Sequence, residues 1–447
     1  MIKREEGFTL VELMITMVVF VFVIAGASGI FTSLLTQFKQ QSRISESNIE
    51  GVVGLEMLRR DIESAGYGLP WNTEIDGDGD GNDWELLKAY CEAISDAKIT
   101  PNPTTFNNGI ATSPCPTTAA SGGTQPRAIF SGNNSGFNGA DYLVIRATSV
   151  GTDDAARKWT YLREGNNLNT WTPACENVNR YPVATDTDCS TGASLDNAVR
   201  VIVISPGGST AANTRSLIDR SSDAGVFFTR YNDTAPNNTA EFAPPAGSTE
   251  PYIVYGVNRT TDLRVPFNRA DYHISTSKMC SDSSRFCTAD SDCTGAKCVN
   301  SVPSRCAPNT GTLFKSVLRQ ADGIMSAFPV LECVADMQVG YALDNNEDGD
   351  FQAGEGTAPN QDRYDNDIST LTAQDIIDRV KEVRVYIIAQ EGQIDRTYTY
   401  HTSTITIPLA GDPAAGLGRT FDLSSIANGL NYRWKVYTLV VKTNNLR

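Results

Sequence analysis

Oxygen-bearing side chains recur at alternate positions in Asp344-Asn345-Asn346-Glu347-Asp348-Gly349-Asp350, and Glu355 follows at position twelve. This spacing matches D-x-[DN]-x-[DN]-G-x5-E. Oxygens at positions one, three and five converge on a hard cation, the glycine permits a sharp turn, the seventh residue offers its carbonyl, and the twelfth closes the site with two oxygens. Asp344, Asn346, Asp348, Asp350 and Glu355 are therefore expected to hold Ca2+, with Asp362, Asp365 or Asp367 as substitutes for Glu355. A solvated acidic turn is the alternative. A second stretch supplies Asp76, Asp78, Asp80 and Asn82 in the same rhythm, but Leu87 stands at position twelve, so Asp83 or Glu85 would have to close it. A helix normally leads into an EF-hand loop, whereas alternating Met337, Val339, Tyr341 and Leu343 predict a strand before Asp344. The better description is a calcium loop grafted on a β-turn.

Ten cysteines form an even set: Cys91, Cys115, Cys175, Cys189, Cys280, Cys287, Cys293, Cys298, Cys306 and Cys333. In an exported chain they read as disulfides. Cys91–Cys115 and Cys175–Cys189 are plausible local pairs, and the other six supply three more whose connectivity stays open. Zinc is the rival, but no CxxC step occurs and the chain has two histidines, His273 and His401. These stand apart with no matched nucleophile motif, so no enzyme is expected. Asp282, Asp290 and Asp292 in the cysteine-dense stretch read as solvated loop acids, with a cation as the alternative.

Glu12 is the only ionisable side chain between Phe8 and Phe38. A carboxylate near the start of an apolar helix is costly in lipid unless neutralised or paired. The apolar run is close to bilayer thickness, and the strongest processing signal precedes it, unlike an ordinary secretory signal. Lys3 and Arg4 suit a cytoplasmic N-terminus.

The string Gly7-Phe8-Thr9-Leu10-Val11-Glu12 resembles the type III signal of type IV prepilins and pseudopilins. The resemblance implies cleavage by prepilin peptidase between Gly7 and Phe8, N-methylation of Phe8, and pairing of Glu12 with that amine on a neighbouring subunit during assembly. Leu55-Glu56-Met57-Leu58-Arg59-Arg60-Asp61-Ile62-Glu63-Ser64-Ala65-Gly66-Tyr67-Gly68 is similar to the end of the long helix in PilW-type minor pilins, and the strand Tyr432–Val441 is also like that family. This resemblance implies a structural subunit of the initiation or tip complex of a type IV pilus. It would sit in the inner membrane with a periplasmic head before assembly, and at the cell surface afterwards. Implied partners are other minor and major pilins and a large tip adhesin. Two alternatives remain: a J-type pseudopilin of a type II secretion system, and an adhesive or ligand-binding module displayed by the anchor.

The expected fold is α+β and pilin-like: a long N-terminal helix on an antiparallel sheet, enlarged by loop-rich, disulfide-containing insertions. The chain divides into a leader (1–7), the helix (8–66), a loop- and β-rich head (67–279), a cysteine-rich insert (280–306) and a C-terminal β region (307–447). Val52, Leu55, Leu58, Ile62 and Ala65 predict one apolar helix face, with Gly51 and Gly54 weakening the helix by about 1 kcal/mol each. Strands are expected at Tyr142–Val150, Val199–Ser205, Val226–Tyr231, Tyr252–Val257, Val383–Ala389, Thr397–His401, Thr404–Ile407 and Trp434–Val441. The net charge, 37 basic against 52 acidic or −15, disfavours nucleic acid as a partner.

Overall fold

The computed structural model describes residues 9–71, 74–75, 85–86, 90–108, 125–164, 167–168, 199–206, 215–218, 227–230, 242–244, 246–259, 261–282, 284–408 and 418–446. Helix α1 runs Leu10–Glu63. The longer strands follow in order: β1 (Ile129–Gly132), β2 (Tyr142–Ala147), β3 (Trp159–Arg163), β4 (Arg200–Ser205), β5 (Tyr252–Asn258), β6 (Asn268–Ser275), β7 (Gly311–Leu318) and β8 (Met325–Leu343). Helix α2 (Ala373–Arg379) precedes β9 (Val380–Glu391), β10 (Thr404–Ile407), β11 (Arg419–Asp422) and β12 (Arg433–Lys442).

The main sheet has the order β12-β9-β8-β7-β6-β2-β1, with Arg363–Asp365 paired to the end of β8; its pairings are all antiparallel. A second sheet centres on β5, flanked by β3 and β4. The head is thus the antiparallel half of an α+β pilin-like fold.

Helix α1 lies across β8, β9 and β12. Leu55, Leu58 and Ile62 are buried on it, in one core with Val334, Met337, Val339, Leu439 and Val441. Val52, expected on this face, is instead 66% exposed. The inner face is taken at that level by Gly51 and Gly54, both buried. A Cβ at Gly54 would overlap the Val330 carbonyl, and one at Gly51 would stand 3.1 Å from the Tyr437 hydroxyl. These glycines let the backbones meet and are more than weak points of the helix. The helix ends at Glu63, three residues earlier than expected; Gly66, at φ +82°, turns the chain where a side chain would strike Leu446.

Polar side chains complete the joint. Asp61 of α1 is buried; the Lys315 ammonium of β7 stands 2.5 Å from its Oδ2, and the Tyr272 hydroxyl of β6 donates to the same oxygen at 2.7 Å. Burial pushes Asp61 up, against the pull of Lys315. On the same sheet Glu92 accepts from Arg146 (2.8 Å) and Arg269 (2.9 Å), Arg269 also donates to Asp271 (2.7 Å), and the Tyr142 hydroxyl donates to Asp271 at 2.6 Å. All four charged side chains are fully enclosed. The two guanidiniums hold Glu92 low although burial opposes them. Arg146 and Arg269 further donate to the carbonyls of Phe106 and Pro103, fastening segment 90–108 onto the sheet.

Expected strands at 199–205, 252–257, 383–389, 404–407 and 434–441 are present within a few residues. Tyr142–Val150 splits into β2 and a short 3-10 turn at Thr148–Val150. Only Thr229–Arg230 of the Val226–Tyr231 strand lies in described residues as strand. Thr397–His401 is not a strand. The Asp395 carboxylate accepts from the amide and hydroxyl of Thr397, the Tyr400 amide donates to Leu430, and Asn431 donates to the Tyr398 carbonyl, so local side-chain bonds replace a ladder. Strands β1, β3, β6, β7 and β11 were not expected.

Two outcomes test this packing. Gly54→Ala, which in a solvated helix would stabilise, is expected to destabilise by about 1–3 kcal/mol through overpacking on Val330, read by chemical unfolding of the purified protein. His273 is fully buried, its Nε2 2.9 Å from the Ser316 hydroxyl, and burial lowers its pKa to about 4. A base depressed this way contributes fully above its unfolded pKa of about 6.5 and loses that contribution as pH falls toward 4. The stability lost over this window is expected to be about 3 kcal/mol smaller in His273→Gln; equal losses would show that His273 does not titrate on unfolding.

Candidate functional site: the apolar helix and the acidic loop

The helix from Leu10 to Ser45 is long and apolar enough to cross a membrane, and none of its most apolar window is buried by the rest of the chain. Val11, Phe20, Phe22, Ile30 and Phe38 are all more than 60% exposed. Among the described residues nothing covers this surface. At its start Thr9 and Glu12 form a capping box. The Thr9 amide (3.0 Å) and hydroxyl (2.8 Å) donate to the Glu12 carboxylate, and the Glu12 amide donates back to the Thr9 hydroxyl at 3.3 Å. In the isolated subunit, then, the lone acid of the span accepts from the Thr9 amide and hydroxyl at the start of its own helix. Gly7 and Phe8, the expected cleavage and methylation positions, lie outside the described residues.

Residues 2–28 match the family model for the prokaryotic N-terminal methylation motif. Over this segment the chain is similar to type IV prepilins and pseudopilins. Comparisons with curated proteins and with solved structures gave no match. The motif marks a family of structural filament subunits and not an enzyme family, and the apolar helix with it fits a membrane-anchored pilin.

The acidic loop of this pilin-like chain leaves β8 directly, with no helix leading in. It winds around two buried carboxylates. Asp344 accepts from the amides of Glu347 (2.7 Å) and Gly349 (3.0 Å). Asp362, almost wholly enclosed, accepts from the amides of Asn345 (2.9 Å) and Gln352 (3.0 Å). Gly349 sits at φ +97°, the turn for which position six requires glycine. The loop is closed from Glu355 to Asp362 by a backbone bond of 2.8 Å. Glu355 is partly exposed, but its Oε2 is enclosed and has no hydrogen-bond partner. Loss of solvent, followed by the carboxylates of Asp348, Asp362, Asp350 and Asp344, pushes its pKa up. Two cations already face the loop: Lys381 lies 3.3 Å from Asp344, and Arg379 lies 2.8 Å from Glu347. No three of the loop carboxylates bring their oxygens within 4.8 Å of one another. The second acidic loop, with Asp76, Asp78, Asp80 and Asn82, lies outside the described residues.

Disulfides join Cys280–Cys293, Cys287–Cys298 and Cys306–Cys333. The first two interlock inside the insert; the third instead ties the insert's end to β8, so Cys306 belongs to the sheet more than to the insert. Cys91 is also disulfide-bonded, while Cys115, Cys175 and Cys189 lie outside the described residues. Cys280, Cys287 and Cys293 gather their sulfurs within 4.8 Å, but as disulfides they offer no thiolate to zinc. The insert's acids serve as caps. Asp292 accepts from Thr288 and Ala289, Asp290 from the Cys298 amide, and Asp282 from the Ser284 amide. Asp362 is the residue whose part in the acidic loop exceeded its sequence signal, because it lies beyond the motif and acts by backbone contacts.

Proposed function

We propose that this chain is a minor pilin of the PilW type, a structural subunit of the initiation or tip complex of a type IV pilus. The observation that carries the reading is the bare apolar helix bearing the methylation motif, rigidly joined to a β head. The residues Leu55–Gly68, the terminal strand β12 and the size of the head favour the PilW type and a tip position over a shaft position. A shaft subunit must let neighbours stack on all sides; a tip subunit need not. Assembly replaces the intramolecular Thr9–Glu12 bonds by a pair between Glu12 and the Phe8 amine of a neighbour.

The acidic loop is proposed to hold Ca2+ through Asp344, Asn346, Asp348, the Asp350 carbonyl and Glu355, with Asp362 holding the loop in shape. The unpartnered, enclosed Glu355 oxygen among four other carboxylates supports it. The ion would supply positive charge that lets these acids stay ionised side by side, stiffening the turn between β8 and α2.

Two measurements test these readings. Replacing Gly7 by a bulky residue is expected to leave Met1 attached and to cut recovery in sheared pili at least tenfold while the protein persists in the membrane. An exported wild-type form that retains Met1, or that starts beyond Ser28, would sink the pilin reading. For the ion, 1 mM Ca2+ is expected to stabilise the purified protein by about 0.4–1.4 kcal/mol, given an affinity of about 0.1–1 mM for an extracellular module. Glu355→Gln should abolish that gain. An identical melt in Ca2+ and in chelator, with no metal by mass spectrometry, rejects the site.

A further inference from the structure

Helix α1 and strand β7 meet at an acid and an amine held together away from water. The Lys315 ammonium stands 2.5 Å from Oδ2 of Asp61, with the two side chains only 7% and 10% exposed, and the Tyr272 hydroxyl donates to the same oxygen at 2.7 Å. Lys381–Asp344 at 3.3 Å and Lys435–Glu391 at 3.1 Å are looser pairs with more exposed lysines. Loss of solvent, the largest influence on Asp61, pushes its carboxyl toward the protonated form, while Lys315 and Tyr272 pull the other way. Passing one proton from the ammonium to the carboxylate removes both charges from the interior, where a charge is costly. What remains is a neutral amine against a neutral carboxyl group.

Such a pair can condense. Free amines and acids stay apart in water, because their ions are hydrated and two molecules must be brought together. Here the fold has already taken the water away and fixed the partners, and groups so positioned react as if at an effective concentration of about 10⁵–10⁸ M. Reacting atoms need to lie about 3–3.5 Å apart, and Cγ of Asp61 is one bond beyond the oxygen that Nζ already touches. A hollow of about 590 Å³ opens beside the pair, lined by Asp61, Lys315, Arg157 and Thr152 and, along α1, by Val53 and Met57, both more than 40% exposed. It gives a departing water a way out.

We propose that Lys315 and Asp61 form an intramolecular amide bond that ties α1 covalently to the sheet. Nζ attacks Cγ; the Nζ–Cγ bond forms and the Cγ–Oδ2 bond breaks. The two protons that Nζ gives up leave on Oδ2 as water, with the Tyr272 hydroxyl bonded to that oxygen as it goes. Oδ1 becomes the amide oxygen. No oxidant, reductant or further reactant enters. The bond requires the folded chain and is independent of the pilin reading. With it, a pull on the apolar half of α1 reaches β7 through covalent bonds as well as through packing.

The test is the mass of the full-length chain, purified from cells that make it, then reduced and denatured. The wild type is expected to be lighter by one water than its sequence from the observed N-terminus requires. Lys315→Arg, which keeps a cation beside Asp61 but offers no amine, is expected at its full calculated mass. Trypsin should fail to cut after Lys315 and should release one branched peptide joining Asp61–Lys88 to Cys306–Arg319. Full mass for the wild type, with ordinary cleavage after Lys315, shows an ion pair only and overturns the proposal. A water missing without the branched peptide, or missing equally in Lys315→Arg, overturns it too.

Discussion

One helix has to satisfy two surroundings at once. Within Leu10–Ser45 its most apolar window is left unburied by the rest of the chain, and near the end of that stretch Ile44 meets the head at Gly392. At about 1.5 Å per residue this stretch exceeds the roughly 30 Å of a bilayer core. From Gly51 to Glu63 the same rod is clamped to a sheet. The first half needs lipid or other helices, and the second half needs one fixed seat on β8, β9 and β12. Force or torque delivered to the bare half reaches the head through that seat, so the joint must hold both position and rotation.

The joint does so with contacts that a hydropathy pattern hides. Gly51 and Gly54 carry no apolar signal, yet they bring the helix backbone against Val330 and Tyr437. Val52 carries a strong signal and points the other way. Counting apolar residues at helical spacing found the right helix and mis-assigned one position of its buried face, because the closest approach uses the smallest residue. The same blindness explains the missed strands. In β6 and β7 every residue is buried, but Arg269, Asp271, His273, Lys315 and Ser316 break the apolar run that marks a core strand. Most of their polar atoms are satisfied by Glu92, Asp61, Tyr142 and one another, several of these far away in sequence, while His273 Nδ1 has no partner.

Local patterns were easier to read. The sharp turn of the acidic loop at Gly349, the disulfide-rich insert and the methylation motif all follow from residues close together in sequence. Their long-range companions were less visible. Asp362 shapes the acidic loop from outside its motif, and Cys306 leaves its neighbours to pair with Cys333 across 27 residues. In a head of this size the insert cannot build an apolar core of its own, and two interlocked disulfides with carboxylate caps take that place.

A helix with apolar stripes on both faces has a symmetry problem: either stripe could bind the sheet if apolar burial alone decided. The residues at the joint remove the ambiguity. Turning α1 by half a revolution would set Val53 near where Gly51 now lies and Val52 near where Gly54 lies, and the Val330 carbonyl leaves no space for a Cβ at the second place. It would also expose Asp61 and strand Lys315 and Tyr272 without their shared oxygen, and a buried charge that loses its partner costs several kcal/mol. Such a pair adds little net stability against an apolar substitute of equal volume, but it discriminates strongly between two seatings of one helix. The glycines and the Asp61–Lys315 pair thus decide which stripe the head keeps, and so which stripe stays on the outside.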